Sequence, residues 1–381
     1  MFNVISYIAL IIATFAITYT FDIRENYTLL YMLLIAPIFD FILFLYMKRN
    51  IKVSLNDISD GIEKNVEVLC NVEVENKAKC AVPYVEYELE INKKFHCNDE
   101  NIFRERLSIG AKSKIIEEYR LLAIHRGIGK ISLNKIEVKS FLGLFKSALV
   151  FDGMSKNIMI MPALVEVTGI EDLLFATYEQ DEFEEKTNNI FMGEPSYEFK
   201  EYEAGDPLNR VNWKLSSKKN ILMVRKSAIE IKLNKVLILD PVIFESEDYE
   251  ERADRLIESI IGISKTFFEM DYCVDIVYFK GSRWEKIKFE NMETIPIMQD
   301  FFATYDFKHV TKFNKRFKGF GETLDKSNDY IIFTNYKDEE VKIFANILEE
   351  IGNSVTIVSD DLEKVIEDEY LLRSDYSLER I

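Results

Sequence analysis

The stretch Gly193–Arg225 reads GEPSYEFKEYEAGDPLNRVNWKLSSKKNILMVR and holds helix and strand signals close together. Asp206 precedes Pro207, a favourable N-cap followed by proline at the first helical position. Arg210 stands four residues after Asp206, at ion-pair spacing on a helix. Apolar residues recur at helical spacing at Leu208, Val211 and Leu215. The pattern predicts a helix after Asp206, then a strand over Ile221–Ile231.

The same residues resemble the signature of the bacterial family called domain of unknown function 58. That signature runs Arg-x-Tyr-x-x-Gly-Asp and continues as Arg-x-Ile-Asp-Trp-Lys. The matching positions are Tyr202, Gly205, Asp206, Arg210, Trp213 and Lys214. The chain departs from the family at Lys200, where Arg is usual, and at Asn212, where Asp is usual. Lys200 lacks the planar guanidinium of an arginine, and Asn212 lacks the carboxylate of an aspartate.

A second match to this family covers the region before residue 165. It consists of Arg126-Gly127, a strand, a turn ending Gly143-Leu144-Phe145, and a strand ending at Pro162. Ser140-Phe141 replaces the Asp-Pro that is usual in that turn. The resemblance implies a membrane-anchored protein with a C-terminal von Willebrand factor type A-like domain and no established reaction. It also implies partners, namely a MoxR-type AAA+ ATPase and a transglutaminase-like membrane protein, in cell-envelope assembly or maturation.

Two apolar runs open the chain, Phe2–Phe21 and Thr28–Met47. Each has about 20 residues and would span roughly 30 Å as a helix. Lys48 and Arg49 follow the second run at once, so the positive-inside rule places both termini and the globular part in the cytoplasm. A cleaved signal peptide fits less well, because a basic start and a small-residue cleavage site are missing. The expectation is a cell-membrane hairpin with two spans.

Asp40 is the one acid within the second apolar run. An ionisable residue in a span can mark a functional path. No second charge in the hairpin could relay a proton to it, so a structural or oligomer-packing role is the alternative.

From Ile51 the apolar residues alternate with polar ones, as in Val66–Val74 and Val85–Ile91. This alternation predicts an antiparallel β-sandwich of some seven strands over residues 51–165. Residues 166–234 hold an acidic linker, expected to be solvated rather than a docking patch, and then the motif segment. From Lys235 onward, apolar strands alternate with helical patterns such as Glu247–Met270, which predicts a parallel sheet covered by helices.

The fold expected is therefore a multi-domain α+β chain. It comprises a transmembrane hairpin (1–50), a β-sandwich (51–165), a linker and motif segment (166–234), and a Rossmann-like, type A-like α/β domain (235–381). Further helices are expected at Thr294–Tyr305, Asp338–Ile351 and Asp361–Leu372.

Asp240 ends the first strand of the α/β part, where ligands of such sheets bind. The type A-like fold implies a metal site of the form Asp-x-Ser-x-Ser, completed by a Thr and an Asp from later loops. Here Val242 and Phe244 replace the two serines. Apolar side chains cannot ligate a hard cation. No metal or other cofactor is therefore expected, and Asp240 is the only candidate ligand.

Net charge, cysteine spacing and missing catalytic motifs disfavour three further classes of function. The formal net charge of −17 disfavours nucleic acid as a partner. Four cysteines at 70, 80, 97 and 273 lack the paired spacing of zinc sites. Three histidines stand in no nucleophile motif, and phosphate-binding glycine loops are missing, so an enzyme is not expected. A hydrolase whose site is a cleft at the junction of the sandwich and the motif segment remains a minor alternative.

The favoured function is a non-enzymatic, membrane-anchored scaffold or adaptor. Its interaction motif would comprise Tyr202, Gly205, Asp206, Arg210, Trp213 and Lys214. A purely structural role for this motif stays open, with Asp206 as a cap, Arg210 paired and Trp213 packed. The runner-up is divalent-cation-dependent ligand binding at the crevice beside Asp240.

Overall fold

The computed structural model describes residues 2–21, 24–56, 59–97, 100–150, 154–170, 194–202, 211–219, 221–228, 234–243, 248–309, 317, 320, 328–335, 339–360 and 369–380. The protein is a mixed α+β chain that divides into two compact units. The first comprises Met1–Leu164 and Pro296–Asp306, and the second comprises Val165–Ile295 and Phe307–Ile381.

Two apolar helices begin the chain, α1 at Phe2–Phe21 and α2 at Arg24–Asn50. The Tyr7 hydroxyl on α1 donates a hydrogen bond to the Leu33 carbonyl on α2 at 2.8 Å. Within the part of the chain that the structure describes, one helix, Tyr27–Asn50, is long and apolar enough to cross a membrane. Only 11% of its most apolar window is buried, whereas the core helix of a soluble protein is mostly buried.

The rest of the first unit is a β-sandwich. One sheet contains, in spatial order, β1 (Ile51–Asn56), β3 (Glu67–Asn76), β7 (Lys114–Ala123) and β5 (Phe95–His96). The other contains β2 (Gly61–Glu63), β10 (Ser155–Met161), β8 (Gly127–Lys139), β4 (Val82–Ile91) and β6 (Ile102–Ile109), with β9 (Lys146–Ala148) paired to β8. All pairings are antiparallel except β10 with β2.

Alternation of the side chains builds the sandwich core. In β3, every second residue is buried, from Val68 to Asn76. One apolar cluster joins residues of both sheets, among them Val72 and Leu121 with Val85 and Ile131. The described strands of this unit number ten rather than seven, because β2, β5 and β9 have only two or three residues each and too little sequence to show alternation.

The end of α2 is part of the same core. Phe44 and Met47 are buried in the sandwich cluster, and the helix passes directly into β1 at Ile51. The rings of Phe41 and Phe44 lie 5.0 and 6.2 Å from the ring of Phe145, centroid to centroid. The helix and the sandwich therefore form one packed body.

The second unit contains a sheet in the spatial order β16 (Arg283–Phe289), β15 (Val274–Lys280), β13 (Asn234–Leu239), β18 (Asn328–Thr334), β19 (Ser354–Ser359), β20 (Tyr370–Leu372) and β21 (Leu378–Arg380). The pairings from β15 to β20 are parallel, and the two outer pairings are antiparallel. Two short strands outside this sheet, β14 (Val242–Ile243) and β17 (Lys308–His309), pair in parallel with each other. Every residue of β18 is buried, as expected of a strand in the middle of a covered parallel sheet.

The helices of this unit follow the apolar periodicity. Helix α4 occupies Tyr249–Glu269, and α6 occupies Glu339–Glu350. The expectation of a helix over Asp361–Leu372 is wrong at its end, since Tyr370–Leu372 is strand β20. All three of these residues are buried, and pairing with β19 and β21 satisfies their backbone groups better than a last helical turn would. Residues 361–368 lie outside the described residues.

The segment Pro296–Asp306, which the sequence places with the α/β part, groups with the first unit. It contains most of helix α5 (Ile295–Ala303). Gln299 donates to the Pro162 carbonyl at 2.9 Å, and Arg126 Nη1 donates to the carbonyls of Phe302 and Tyr305, each at 2.8 Å. These bonds explain why the range 235–381 is not one continuous unit.

Candidate functional site

The motif segment is built on a two-stranded antiparallel ribbon. Strand β11 (Glu194–Glu201) pairs with β12 (Met223–Ala228), and the short helix α3 (Trp213–Lys219) lies between them in sequence. Tyr202 is half-buried, and its backbone N–H donates to the Leu222 carbonyl at 2.7 Å. Three of the proposed motif residues, Gly205, Asp206 and Arg210, lie outside the described residues.

The helix of the motif begins later than its apolar spacing predicts. Val211 is not helical: it is buried and forms an antiparallel bridge with Val224. The Asn212 Oδ1 atom accepts from the backbone N–H of Leu215 at 3.1 Å, so Asn212 caps α3. An amide oxygen serves this purpose as a carboxylate would. Asn212 therefore supplies the cap without a carboxylate.

A second contact fixes α3 to the ribbon. Ser216 is buried, and its hydroxyl accepts from the Met223 backbone N–H at 2.8 Å. Asn212, directly before the helix, donates its backbone N–H to the carbonyl of the same Met223 at 2.9 Å. Helix α3 is thus held in place by polar contacts at its cap and at Ser216.

Trp213 occupies the first position of this fixed helix and is 65% exposed. Lys214 beside it is exposed, as are Lys218 and Lys219 on the same helix. Ile221 and Leu222, just before β12, are also exposed. We call Trp213, Lys214, Lys218, Ile221 and Leu222 the motif surface. Of the motif residues that the structure describes, Tyr202 directly follows β11, and Trp213 and Lys214 lie on α3. Because Trp213 is exposed, it is not the packed residue that a purely structural role for the motif would require.

A second candidate site lies at the carboxyl ends of the parallel strands. Asp240, directly after β13, is fully buried. Its Oδ2 atom accepts from the Thr334 hydroxyl at 2.6 Å, and its Oδ1 atom accepts from the Val242 backbone N–H at 3.2 Å. Val242 is itself buried. Asp240 and Thr334 therefore do meet at the edge of the sheet, as strand ends of a parallel sheet should.

The remaining acid of this crevice is paired with arginine. Asp360, at the end of β19, accepts from Arg252 Nε at 2.9 Å and from Arg252 Nη2 at 2.8 Å. Arg252 Nη2 also donates to the Asn335 carbonyl at 2.9 Å. Arg255 Nη1 lies 3.9 Å from Asp360 Oδ2. The Arg252 guanidinium thus binds both carboxylate oxygens of Asp360.

These two arginines were not singled out by their sequence pattern. The sequence feature that could have indicated them is their spacing. They stand three residues apart in the first two turns of α4, the helix that follows Asp240 and β13. Among the residues that the structure describes, no group of three or more His, Cys, Asp or Glu side chains could hold a metal. All four cysteines are free, and burial raises the pKa of the Cys70 thiol to about 12.

Comparisons with known proteins add little to this geometry. No protein-family model and no curated protein match the chain. A CARDB domain from Pyrococcus furiosus, solved in complex with di-metal ions, is 14% identical and covers 29% of this chain and 92% of its own, with a TM-score of 0.21. A non-cellulosomal cohesin from Archaeoglobus fulgidus is 12% identical, covers 29% and 91%, and has a TM-score of 0.23. Likenesses this low carry no argument about function.

Proposed function

We propose that this chain is a non-enzymatic, membrane-anchored adaptor that docks a protein partner through the motif surface. The observation that supports this function best is the exposure of Trp213 on a helix fixed by hydrogen bonds. An exposed large apolar residue on an ordered element calls for an explanation, because tryptophan is usually well buried. Tryptophan is also among the residues most enriched in interface hot spots.

The charges around Trp213 indicate the chemistry of the partner. Lys214, Lys218 and Lys219 form a local basic group on a chain whose formal net charge is −17. A partner with an apolar pocket beside acidic groups would complement this surface. The resemblance to the domain of unknown function 58 family implies a MoxR-type AAA+ ATPase as the partner. It also implies a transglutaminase-like membrane protein as a further member of the system.

Membrane anchoring is the second part of the proposal. Helix α2 has the length and composition of a span, and α1 is an apolar helix of 20 residues whose Tyr7 bonds to α2. We propose two spans, with Lys48 and Arg49 at the cytoplasmic face. Both termini and the two globular units are then cytoplasmic.

The second unit is proposed to be a Rossmann-like, type A-like domain that works without its metal. The parallel order of β15, β13, β18, β19 and β20 supports this fold. The bidentate pair of Arg252 with Asp360 supports a crevice stabilised by protein side chains in place of a cation.

The test is an affinity purification of the full-length protein from its own membranes in mild detergent. The wild type is compared with Trp213→Ala and Lys214→Ala. Ile343→Ala and Lys342→Ala, which change an exposed apolar residue and its basic neighbour on α6, serve as matched controls. Every variant must first keep the wild-type melting temperature.

We expect an AAA+ ATPase, identified by mass spectrometry, to be retained by the wild type and both controls and lost from the two motif variants. Retention by all five proteins would move docking away from the motif surface. No specific partner in any purification would contradict the adaptor function.

The alternative function is cation-dependent ligand binding at Asp240. It is supported only by the meeting of Asp240 and Thr334, and Arg252 argues against it. Magnesium or calcium should leave the melting temperature of the wild type unchanged under the adaptor proposal. A rise that disappears in Asp240→Ala would favour the alternative.

A further inference from the structure

The turn between β8 and β9 is unusually apolar for an exposed loop. It reads Ser140-Phe-Leu-Gly-Leu-Phe145, and Phe141 and Leu142 at its tip are 50% and 40% exposed. Exposed aromatic and aliphatic side chains side by side at a loop tip need an environment that covers them.

Hydrogen bonds within the turn satisfy much of its backbone. The Ser140 N–H donates to the Phe145 carbonyl at 2.9 Å, and the Gly143 N–H donates to the Ser140 carbonyl at 3.0 Å. The Phe145 N–H reaches the Ser140 hydroxyl at 3.2 Å. Gly143 has φ +66°, a conformation that glycine adopts without strain. The turn is therefore a closed structure that exposes apolar side chains and few free polar groups.

The turn is attached to the candidate span. The Leu142 N–H donates to Asp40 Oδ1 on α2 at 3.3 Å, and Asp40 is buried there. Phe145 packs its ring against those of Phe41 and Phe44. Asp40, Phe44 and Met47 follow each other at helical spacing and are buried, so one face of α2 is covered by the sandwich from Asp40 onward.

The depth of this contact follows from helix geometry. Asp40 stands eight residues before Lys48, which is about 12 Å along a helix. The opposite face of the same turns still exposes apolar side chains, namely Ile42 and Leu45. With Lys48 and Arg49 at the lipid headgroups, Asp40 and the turn that it binds lie beside the acyl chains.

Two lysines mark the base of the turn. Lys139 ends β8, Lys146 begins β9, and the two are paired in register. Lys146 is exposed, and Lys139 lies over the Tyr84 ring and 3.6 Å from Glu86. Basic residues below an apolar tip are the arrangement expected at the boundary between acyl chains and anionic headgroups.

We propose that the turn Ser140–Phe145 inserts into the acyl-chain region of the cytoplasmic leaflet and lies against α2 as a third membrane contact. Asp40 then holds the turn at its depth by accepting the Leu142 N–H, an amide that would otherwise need a partner in a medium without water. The inference rests on the proposed membrane span of α2. It gives the sandwich a fixed height and orientation on the bilayer through this loop.

The experiment measures quenching of tryptophan fluorescence by lipids with brominated acyl chains. Full-length protein in a Trp213→Phe background is reconstituted in vesicles of phosphatidylcholine, with or without bromine, and phosphatidylglycerol. The second tryptophan, Trp284, is buried, and its emission is measured in the background protein without a reporter and subtracted. Phe141→Trp and Leu142→Trp report on the turn. Ile38→Trp, on the exposed face of α2, reports on the span. Ile128→Trp is the control, since Ile128 is equally exposed but lies at the opposite end of β8.

We expect the two turn variants to be quenched about as strongly as Ile38→Trp and several-fold more strongly than Ile128→Trp. Adding Asp40→Leu to Leu142→Trp should lower the lipid quenching and raise quenching by aqueous iodide. Adding Asp40→Asn, which keeps an Oδ1 acceptor, should change both much less.

Two outcomes separate this inference from the anchor itself. Turn tryptophans quenched no more than Ile128→Trp, in vesicles where Ile38→Trp is quenched, would overturn the inserted turn and leave the span in place. If Ile38→Trp is not quenched either, the span and the inserted turn are both wrong.

Discussion

Arg252 changes what the crevice of the second unit can do. Its guanidinium makes two hydrogen bonds to Asp360, whose side chain is fully buried, and a third to the Asn335 carbonyl. The planar fork of arginine suits this bidentate contact, and it leaves Asp360 without need of a metal. Asp240 at this edge was predictable from its position after an apolar strand. Arg252 was not, because its partner lies 108 residues away and no local pattern marks the pair.

The variant Arg252→Ala should destabilise the protein strongly. It leaves the buried Asp360 carboxylate with Arg255 alone, at 3.9 Å, and breaking a buried ion pair costs about 3–5 kcal/mol. Arg252→Lys should cost less but still lower stability, because an ammonium cannot make the fork. Thermal melting of the full-length protein in detergent measures both. Arg283→Ala, which breaks the exposed pair with Glu285, is the control and should change little. An unaltered melting point in Arg252→Ala would contradict the structural role of this arginine.

Among the secondary-structure elements, strand β8 carries the largest share of the sandwich, since it pairs with β4, β9 and β10. Long strands with one wet face, such as β3 and β4, were predictable from alternation alone. Strands β16 and β20 were not predicted. In β20 the buried run Tyr370–Leu372 is three residues long, which is too short for its periodicity to distinguish strand from helix.

Within β8, Gly129 has no room for a side chain. A Cβ atom there would lie 2.3 Å from Cε2 of Phe95, a ring that is itself buried in the core. Gly129→Ala should therefore overpack the sandwich and cost about 1–3 kcal/mol. Gly61→Ala in β2 meets nothing closer than 3.8 Å and should be nearly neutral. The melting temperature of Gly129→Ala should therefore be lower than that of Gly61→Ala. Equal values would show that the Phe95 ring can move aside.

For the molecule as a whole, buried tyrosines in both units predict a loss of stability in alkali. Burial raises the pKa of Tyr119 in the sandwich and of Tyr278 in the parallel sheet from 10.0 to about 12 in each case. Burial also raises the pKa of Tyr87, whose hydroxyl lies 2.9 Å from that of Tyr119. The folded protein thus holds these protons more tightly than the unfolded chain does.

The sign of the effect follows from this difference. The stability that these phenols contribute is fully present below pH 10.0, the ordinary pKa, and is lost as the pH rises towards about 12. The melting temperature measured against pH should be constant up to pH 10.0 and should fall above it. Tyr119→Phe should fall less steeply than the wild type. A fall that starts well below the ordinary pKa of tyrosine would point to other groups.

The path of the chain has a consequence for anyone who divides this protein into pieces. The backbone passes between the two units three times, after Leu164, after Ile295 and after Asp306. A fragment that starts near residue 235 would carry the segment Pro296–Asp306 without the rest of the first unit, including the Pro162 carbonyl that Gln299 binds. Conversely, a fragment that ends near residue 165 would lack the carbonyl acceptors of Arg126. A single proteolytic cut between residues 171 and 193 would therefore leave two fragments that remain associated. The segment 296–306 belongs to the fragment after the cut, yet it packs in the first unit, most of which precedes the cut.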